Sequence, residues 1–544
     1  MLGADSIRRG RLQARTFRST LPVRRAPWPL LLAGGAVAGL AVLPLAYLVI
    51  RALGADPASL DLVLRPRTAV VAASTVALAL LVGAGTIALG VPLAWLTTRT
   101  DLPGRRAWAV LTVVPLAIPS YVTGFAFLAT FGPRGALQSI LAPLGVERIP
   151  SFGGLFGATL VLVLVSYPYV VLATRAGIAR TDPAVEDAAR LLGDRRTTVF
   201  RRVTLPILAP AIAAGALLAV LYALSDFGAV SLLQFDSFSR AIYVQYRASF
   251  DRSLAAILSL MLVGMTFAVA WGESRVRWRA GAYAGTSRSS RRPPTNVPLG
   301  RWRWPAVAFC AGVVGLALVV PAGTIAWWLV RGVGQGEPVR VVVDAAVNSF
   351  LAGGGAALGA VVLALPVALL VARYPSRTAS VIETATYTGY ALPGIVVALA
   401  VVFLATTTVP FLYQTLALLV IAYAVRFLPQ AVGTVRAAAV GIGPRVEEAG
   451  RTLGDGPLRA FARLTLPLLR PALIAGGALV FLTTVKELPL ALLLGPIGFD
   501  TLATEIWDAS SEGFYTRAAG PAAVLLVLSA ATVAVLLRNE EGAR

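Results

Sequence analysis

The chain has no histidine, one lysine (Lys486), one cysteine (Cys310) and only three methionines in 544 residues. The missing histidine removes the commonest metal ligand and the commonest proton-shuttling side chain together. A single cysteine excludes an intramolecular disulfide. The lone lysine is followed by Glu487, so the Gly-x-x-x-x-Gly-Lys-Ser/Thr loop that cradles nucleotide phosphates is absent. This chain therefore cannot hydrolyse ATP by that route. Charge is scarce as well: 14% of residues are charged and 57% hydrophobic, where a soluble domain is about a quarter charged.

The apolar residues lie in runs of about 18 or more, long enough to cross a bilayer as helices. They predict an all-α polytopic membrane protein with about twelve spans. Six fall near 29–50, 70–96, 107–131, 153–174, 207–230 and 254–272. Six more fall near 304–330, 346–372, 382–406, 411–431, 469–494 and 519–537. The expected division is a basic tail (1–28), a first repeat (29–272), an Arg/Ser/Pro linker (273–303) and a second repeat (304–544). The formal charge of +22 comes almost wholly from arginine. Most of these arginines fall on one side of the expected spans, the pattern that marks a cytoplasmic face. Topology and anionic lipid account for the charge without nucleic acid. The first apolar run is long for a signal-peptide core and no cleavage site follows it. It reads as a retained span, with both termini cytoplasmic.

One segment occurs twice. Residues 187–206 read DAARLLGDRRTTVFRRVTLP, and residues 448–467 read EAGRTLGDGPLRAFARLTLP. Earlier in the chain, Pro92, Arg99 and Pro119 match Pro366, Arg373 and Pro393 at a different offset. Six spans separate the two copies, an even number, so both face the same side and the repeats are parallel. Each copy reads as a short helix closed by a left-handed glycine, Gly193 or Gly454, with proline and acids in the first turn. Small residues at Ala188, Ala189, Ala449 and Gly450 would let another surface approach closely. A polar island repeated in a greasy chain suits contact with a soluble partner.

Glu/Asp-Ala-Ala/Gly-x-x-x-Gly, followed by Leu-Pro thirteen residues after the glycine, resembles the EAA motif of binding-protein-dependent ABC importer permeases. The resemblance extends from about residue 68 to the C-terminus. It implies that Glu186, Asp187, Ala188, Ala189, Gly193 and Pro206 form one ATPase-docking site. Glu447, Glu448, Ala449, Gly450, Gly454 and Pro467 form the other. Asp187 stands where the family's usual Glu does, and Gly450 replaces the second Ala. Two sites imply two copies of a separate cytoplasmic ATPase, which carries the ATP and Mg, with no cofactor in this chain. They also imply an extracytoplasmic substrate-binding protein and a prokaryotic inner membrane.

Asp226 and Glu487 align, each 20 residues beyond its Leu-Pro. That is roughly 30 Å of helix, near the external end of the fifth and eleventh spans. Ionisable groups so close to a bilayer mark a pathway by default, which makes Asp226, Lys486 and Glu487 its candidate residues. The alternative is an interfacial pair snorkelling to water, with Lys486 neutralising one acid. The stretches SDFGAVSLLQFDSFSR and KELPLALLLGPIGFD resemble the ferric-iron branch of fused permeases. Thiamine and phosphonate permeases share the architecture. No spacing forms an iron site, and without histidine hard ligands would come from Asp, Glu or Tyr. A major-facilitator-type transporter also has two parallel halves. However, TRTDLPGRR at 98–106 departs from that superfamily's loop at Thr97 and Leu102.

Overall fold

The structure is a computed structural model describing residues 26–54, 61, 65–133, 135–146, 149–248, 253–283, 297–337 and 339–542. Most of the basic tail and the centre of the linker lie outside these residues. The first repeat comprises α1 (Trp28–Leu53), α2 (Pro66–Arg99), α3 (Arg105–Leu111), α4 (Ser120–Phe131), α5 (Gly154–Arg180), α6 (Pro183–Leu191), α7 (Leu205–Ser225), α8 (Gly228–Leu232), α9 (Phe238–Ala248) and α10 (Ser253–Tyr283). The second comprises α11 (Arg303–Val314), α12 (Val320–Gly334), α13 (Val339–Arg373), α14 (Arg377–Thr386), α15 (Gly394–Thr408), α16 (Leu416–Ile442), α17 (Arg445–Thr452), α18 (Leu466–Val485), α19 (Pro489–Leu494), α20 (Leu502–Ser511) and α21 (Tyr515–Gly542). The chain is an all-α polytopic membrane protein.

Among the described residues, nine helices are long and apolar enough to span, and two bent pairs raise the number to eleven. A shorter apolar helix, Tyr515–Ala531, occupies the twelfth expected interval. The third and ninth spans are therefore not straight rods. They bend by 96° and 103° at breaks before Ser120 and Gly394. The cause is Pro119 and Pro393, which push the preceding residue to extended backbone, so the helix must restart. Ile118 and Leu392 have ψ values of 125° and 142°. The fifth and eleventh spans also end early, at Ser225 and Val485, short of the expected 230 and 494. The chain turns there and restarts at α8 and α19.

Each repeat is built around three helices, α2, α5 and α7 in the first and α13, α16 and α18 in the second. Glycines let them approach at backbone contact, the usual device in a bilayer, where packing rather than water exclusion drives association. A Cβ on Gly215 would stand 2.8 Å from Val170 Cα, and one on the matched Gly476 3.2 Å from Ala431 Cα. The outer helices are exchanged. Val37, Ala38 and Leu48 of α1 are buried with Ile395, Val396 and Ala424 of the second repeat. Ala306, Cys310, Val313 and Ala317, from α11 and the turn after it, are buried with Leu78, Val82 and Val161 of the first. Farther along the same span, Trp328 donates from Nε1 to the Ala129 carbonyl at 3.2 Å. The repeats of the sequence are thus not the packing units of the fold. The far end of the linker is also anchored: Val297 bridges to Thr100, and the Leu299 N–H donates to Asp101 at 2.8 Å.

Candidate functional site

Both copies of the repeated segment fold as a short helix, a left-handed glycine, and a π-helical turn leading into the next span. Asp182 caps α6 by accepting from the Ala184 N–H at 2.9 Å, with Pro183 in the first turn. Gly193 and Gly454 take φ of +92° and +94°, a conformation nearly free for glycine and costly for other residues. The Asp194 and Asp455 N–H groups reach back to the Ala189 and Gly450 carbonyls at 3.3 and 3.1 Å, closing α6 and α17. The π turns are Phe200–Thr204 and Phe461–Thr465, and Pro206 and Pro467 open α7 and α18.

The two adjacent acids of each copy separate. Asp187 points outward, 57% exposed, with Arg190 at 3.2 Å. Glu186 is buried in an ion pair with Arg99 at the end of α2, and Thr204 donates to it at 3.0 Å. The second copy repeats this: Arg373, ending α13, meets Glu447 at 2.9 Å, and Thr465 donates to Glu447 at 2.7 Å. Each short helix is thereby clamped to two spans at once, the one ending in Arg and the one beginning after Thr. The small residues also divide. Ala188 and Ala449 are exposed, but Gly450 is buried against the chain's own π turn. A Cβ on Gly450 would lie 2.7 Å from Leu464 Cδ1, so this glycine serves internal packing rather than a partner's approach. What protrudes is apolar: Leu192 and Leu453, at matched positions, are each 88% exposed. Leu191, next to Leu192, is 89% exposed as well, so the first copy presents an apolar pair at the end of its helix and the second a single leucine.

Asp226 and Glu487 are brought to the same region, where Glu487 acts electrostatically on Asp226 and Tyr121. Neither snorkels. Asp226 is buried, accepting from the Ser120 hydroxyl and from the Ala229 and Val230 N–H groups at 3.0 and 3.3 Å. It caps α8 and ties that helix to the start of α4. Glu487 lies 3.6 Å from Arg426 of α16. Its counter-charge is Arg426, not Lys486, which sits at the C-cap of α18. The repeats solve one problem with different residues. Gly394 replaces Ser120, and the longer Glu487 fills the notch, within 2.5 Å of where a Gly394 Cβ would be. Beside them Phe227 packs on Trp507 with ring centres 5.1 Å apart, joining the two repeats.

Arg99, Arg373, Thr204, Thr465, Arg426, Tyr121 and Ser120 were not among the sequence candidates for function. The first four carried a signal, since they recur at matched positions. Arg426 also did, as a charge inside an apolar run. Tyr121 and Ser120 carried none, because only the bend at Pro119 brings them to the acids. Among the described residues, no group of three His, Cys, Asp or Glu side chains could hold a metal ion.

Residues 86–277 and 364–539 match the family described as binding-protein-dependent transport system inner membrane component. The chain is 32% identical over 503 residues to the Fe(3+)-transport system permease protein FbpB 2 of Haemophilus influenzae, covering 91% of this chain and 95% of that one. It is 27% identical over 478 residues to the probable ABC transporter permease protein y4fN of Sinorhizobium fredii, covering 81% of each. The sulfate transport system permease protein CysW of Escherichia coli is 30% identical over 214 residues, which is 38% of this chain and 71% of CysW. Two family segments on one polypeptide, each with its clamped helix, make this chain a fused two-repeat member of the binding-protein-dependent ABC importer permeases of the inner membrane.

Proposed function

We propose that the chain is the permease of a ferric-iron importer, carrying iron handed over by an extracytoplasmic binding protein. Two copies of a cytoplasmic ATPase drive it, one seated on α6 and one on α17, and both chain termini are cytoplasmic. The ferric reading rests on the end-to-end similarity to the Haemophilus permease, which spans both repeats. The similarity to the sulfate permease, over 214 residues, covers less than one repeat.

The coupling sites are Asp187, Ala188, Leu192, Glu448, Ala449 and Leu453, with Glu186, Glu447, Gly193, Gly454, Pro206 and Pro467 holding their shape. When the two ATPase subunits close on ATP, α6 and α17 move with them. Through Arg99–Glu186–Thr204, α6 carries the ends of α2 and α7, and Arg373–Glu447–Thr465 does the same for α13 and α18. The three-helix units then rotate as bodies, and the contact between Phe227 and Trp507 at their junction opens. A rigid clamp is needed because a loosely attached helix would absorb the motion.

Deleting the gene should impair growth on scarce ferric iron, and the purified chain should retain a cytoplasmic ATPase. Charge reversal at both Asp187 and Glu448 should abolish coupled transport. Normal iron uptake with a sulfate, thiamine or phosphonate defect would replace the substrate reading. Uptake driven by a proton gradient in vesicles without ATPase would sink the importer mechanism.

A further inference from the structure

The aligned acids Asp226 and Glu487 have unequal surroundings. Asp226 is engaged by the fold: one oxygen accepts two backbone N–H groups and the other accepts the Ser120 hydroxyl. Three donors within its own repeat occupy most of the acceptor capacity of the carboxylate. Glu487 is the opposite case. Its Oε1 finds no hydrogen-bond partner among the protein groups around it, and neither does Arg426 Nε, 3.6 Å away. Tyr121, from the other repeat and only 3% exposed, also has an unpartnered hydroxyl. Its phenol lies within the electrostatic reach of Glu487 and of Tyr423. Buried polar groups are rarely left unpartnered, because each costs much of its desolvation. Where the two repeats meet, Glu487 Oε1 and Arg426 Nε thus make only a long ion pair with each other, and the Tyr121 hydroxyl bonds no protein group.

We infer that Glu487, with the Tyr121 hydroxyl, is the cargo-contacting station of the pathway, taking an oxygen-ligated hard cation, and that Arg426 is its resting counter-charge. This deepens the ferric reading and rests on it. A carboxylate and a phenol are hard oxygen donors, matched to a small, highly charged cation and unsuited to a soft one. Arg426, 3.6 Å away, offsets part of the cost of burying the Glu487 carboxyl while the repeats are closed. It is anchored separately, donating from Nη1 to the Leu392 carbonyl at 2.8 Å. Glu487 can therefore exchange Arg426 for cargo while Arg426 keeps a partner. Because Tyr121 belongs to one repeat and Glu487 to the other, the station is remade each time the repeats separate and close. Asp226 is the structural member of the aligned pair.

The test uses the full complex of permease, ATPase and binding protein in proteoliposomes, with radiolabelled ferric citrate as the probe. It measures iron carried per ATP hydrolysed, together with thermal unfolding of the complex. Tyr121→Phe is the decisive variant, since it removes a hydroxyl that bonds nothing. Tyr121→Phe should unfold at or above the wild-type temperature yet carry at least fivefold less iron per ATP. Glu487→Gln should lower that ratio at least tenfold. Asp226→Asn should instead lower the yield and unfolding temperature of the complex, with the ratio in the surviving protein within twofold of wild type. Wild-type ratios in both Tyr121→Phe and Glu487→Gln would overturn the station while leaving the ferric reading intact. A wild-type complex that carries sulfate and no iron would overturn the ferric reading, and the cation station with it.

Discussion

Replacing Glu186 with glutamine tests the clamp that links the docking helix to the membrane spans. Glu186 and Arg99 have side chains only 6% and 4% exposed. Removing one charge of a buried pair leaves the other uncompensated, at a cost of about 3–5 kcal/mol. The glutamine can still accept from Thr204, which retains about 1 kcal/mol. The net loss is then about 3 kcal/mol, on the order of 100-fold in the population of the clamped state. It falls on the joint between α6 and α2, so coupling should suffer before the fold does. The assay is ATP hydrolysis by the reconstituted complex, with and without loaded binding protein, beside iron uptake. Glu186→Gln should reduce uptake per ATP at least tenfold. Glu447→Gln should act in the same direction but less, because its pair is 9% and 14% exposed. A double variant, Arg99→Leu with Glu186→Leu, should recover stability relative to Glu186→Gln, since an apolar pair leaves no buried charge. Unchanged coupling and unchanged thermal stability in Glu186→Gln would refute the clamp.

Leu192→Asp and Leu453→Asp together should leave the unfolding temperature unchanged, because both side chains are exposed. ATPase association should weaken by about 30-fold or more if they are central contacts, measured by co-purification. Gly193→Ala and Gly454→Ala should each cost about 1–2 kcal/mol, the left-handed penalty, visible as earlier thermal unfolding. Asp508, on α20 between the spans, is an exposed residue, but partial desolvation of its carboxyl and the neighbouring Asp500, Glu505 and Glu512 raise its pKa to about 6. An acid whose folded pKa is raised favours the folded state when protonated. That contribution is present below about pH 4 and lost as pH rises through about 6. Asp508→Asn should flatten the stability profile across that window, as read by unfolding at each pH.

The docking helices illustrate what could be read without coordinates. Their boundaries, closing glycines and opening prolines follow from local backbone chemistry, and local chemistry is written in consecutive residues. Which acid of each pair is buried could not be read, because Glu186 and Asp187 differ only in the helix face they occupy. That face is decided by Arg99, 87 positions away. Of the docking residues that the sequence put forward, Asp187 is exposed and Glu448 is half-buried. The support beneath them, Arg99–Glu186–Thr204 and its copy, required the fold.

The sequence alone determined a histidine-free, helical membrane protein in two repeats, without the lysine-bearing nucleotide loop. Composition and spacing suffice for that, since bilayer thickness fixes span length and a missing lysine motif cannot be restored by folding. The tertiary structure decided that α1 and α11–α12 exchange repeats, that two spans bend at Pro119 and Pro393, and that Asp226 caps α8. It also decided that Glu487 meets Arg426 and Tyr121. These depend on contacts between residues far apart in the chain, and an aligned pair of acids carries no record of what surrounds each one.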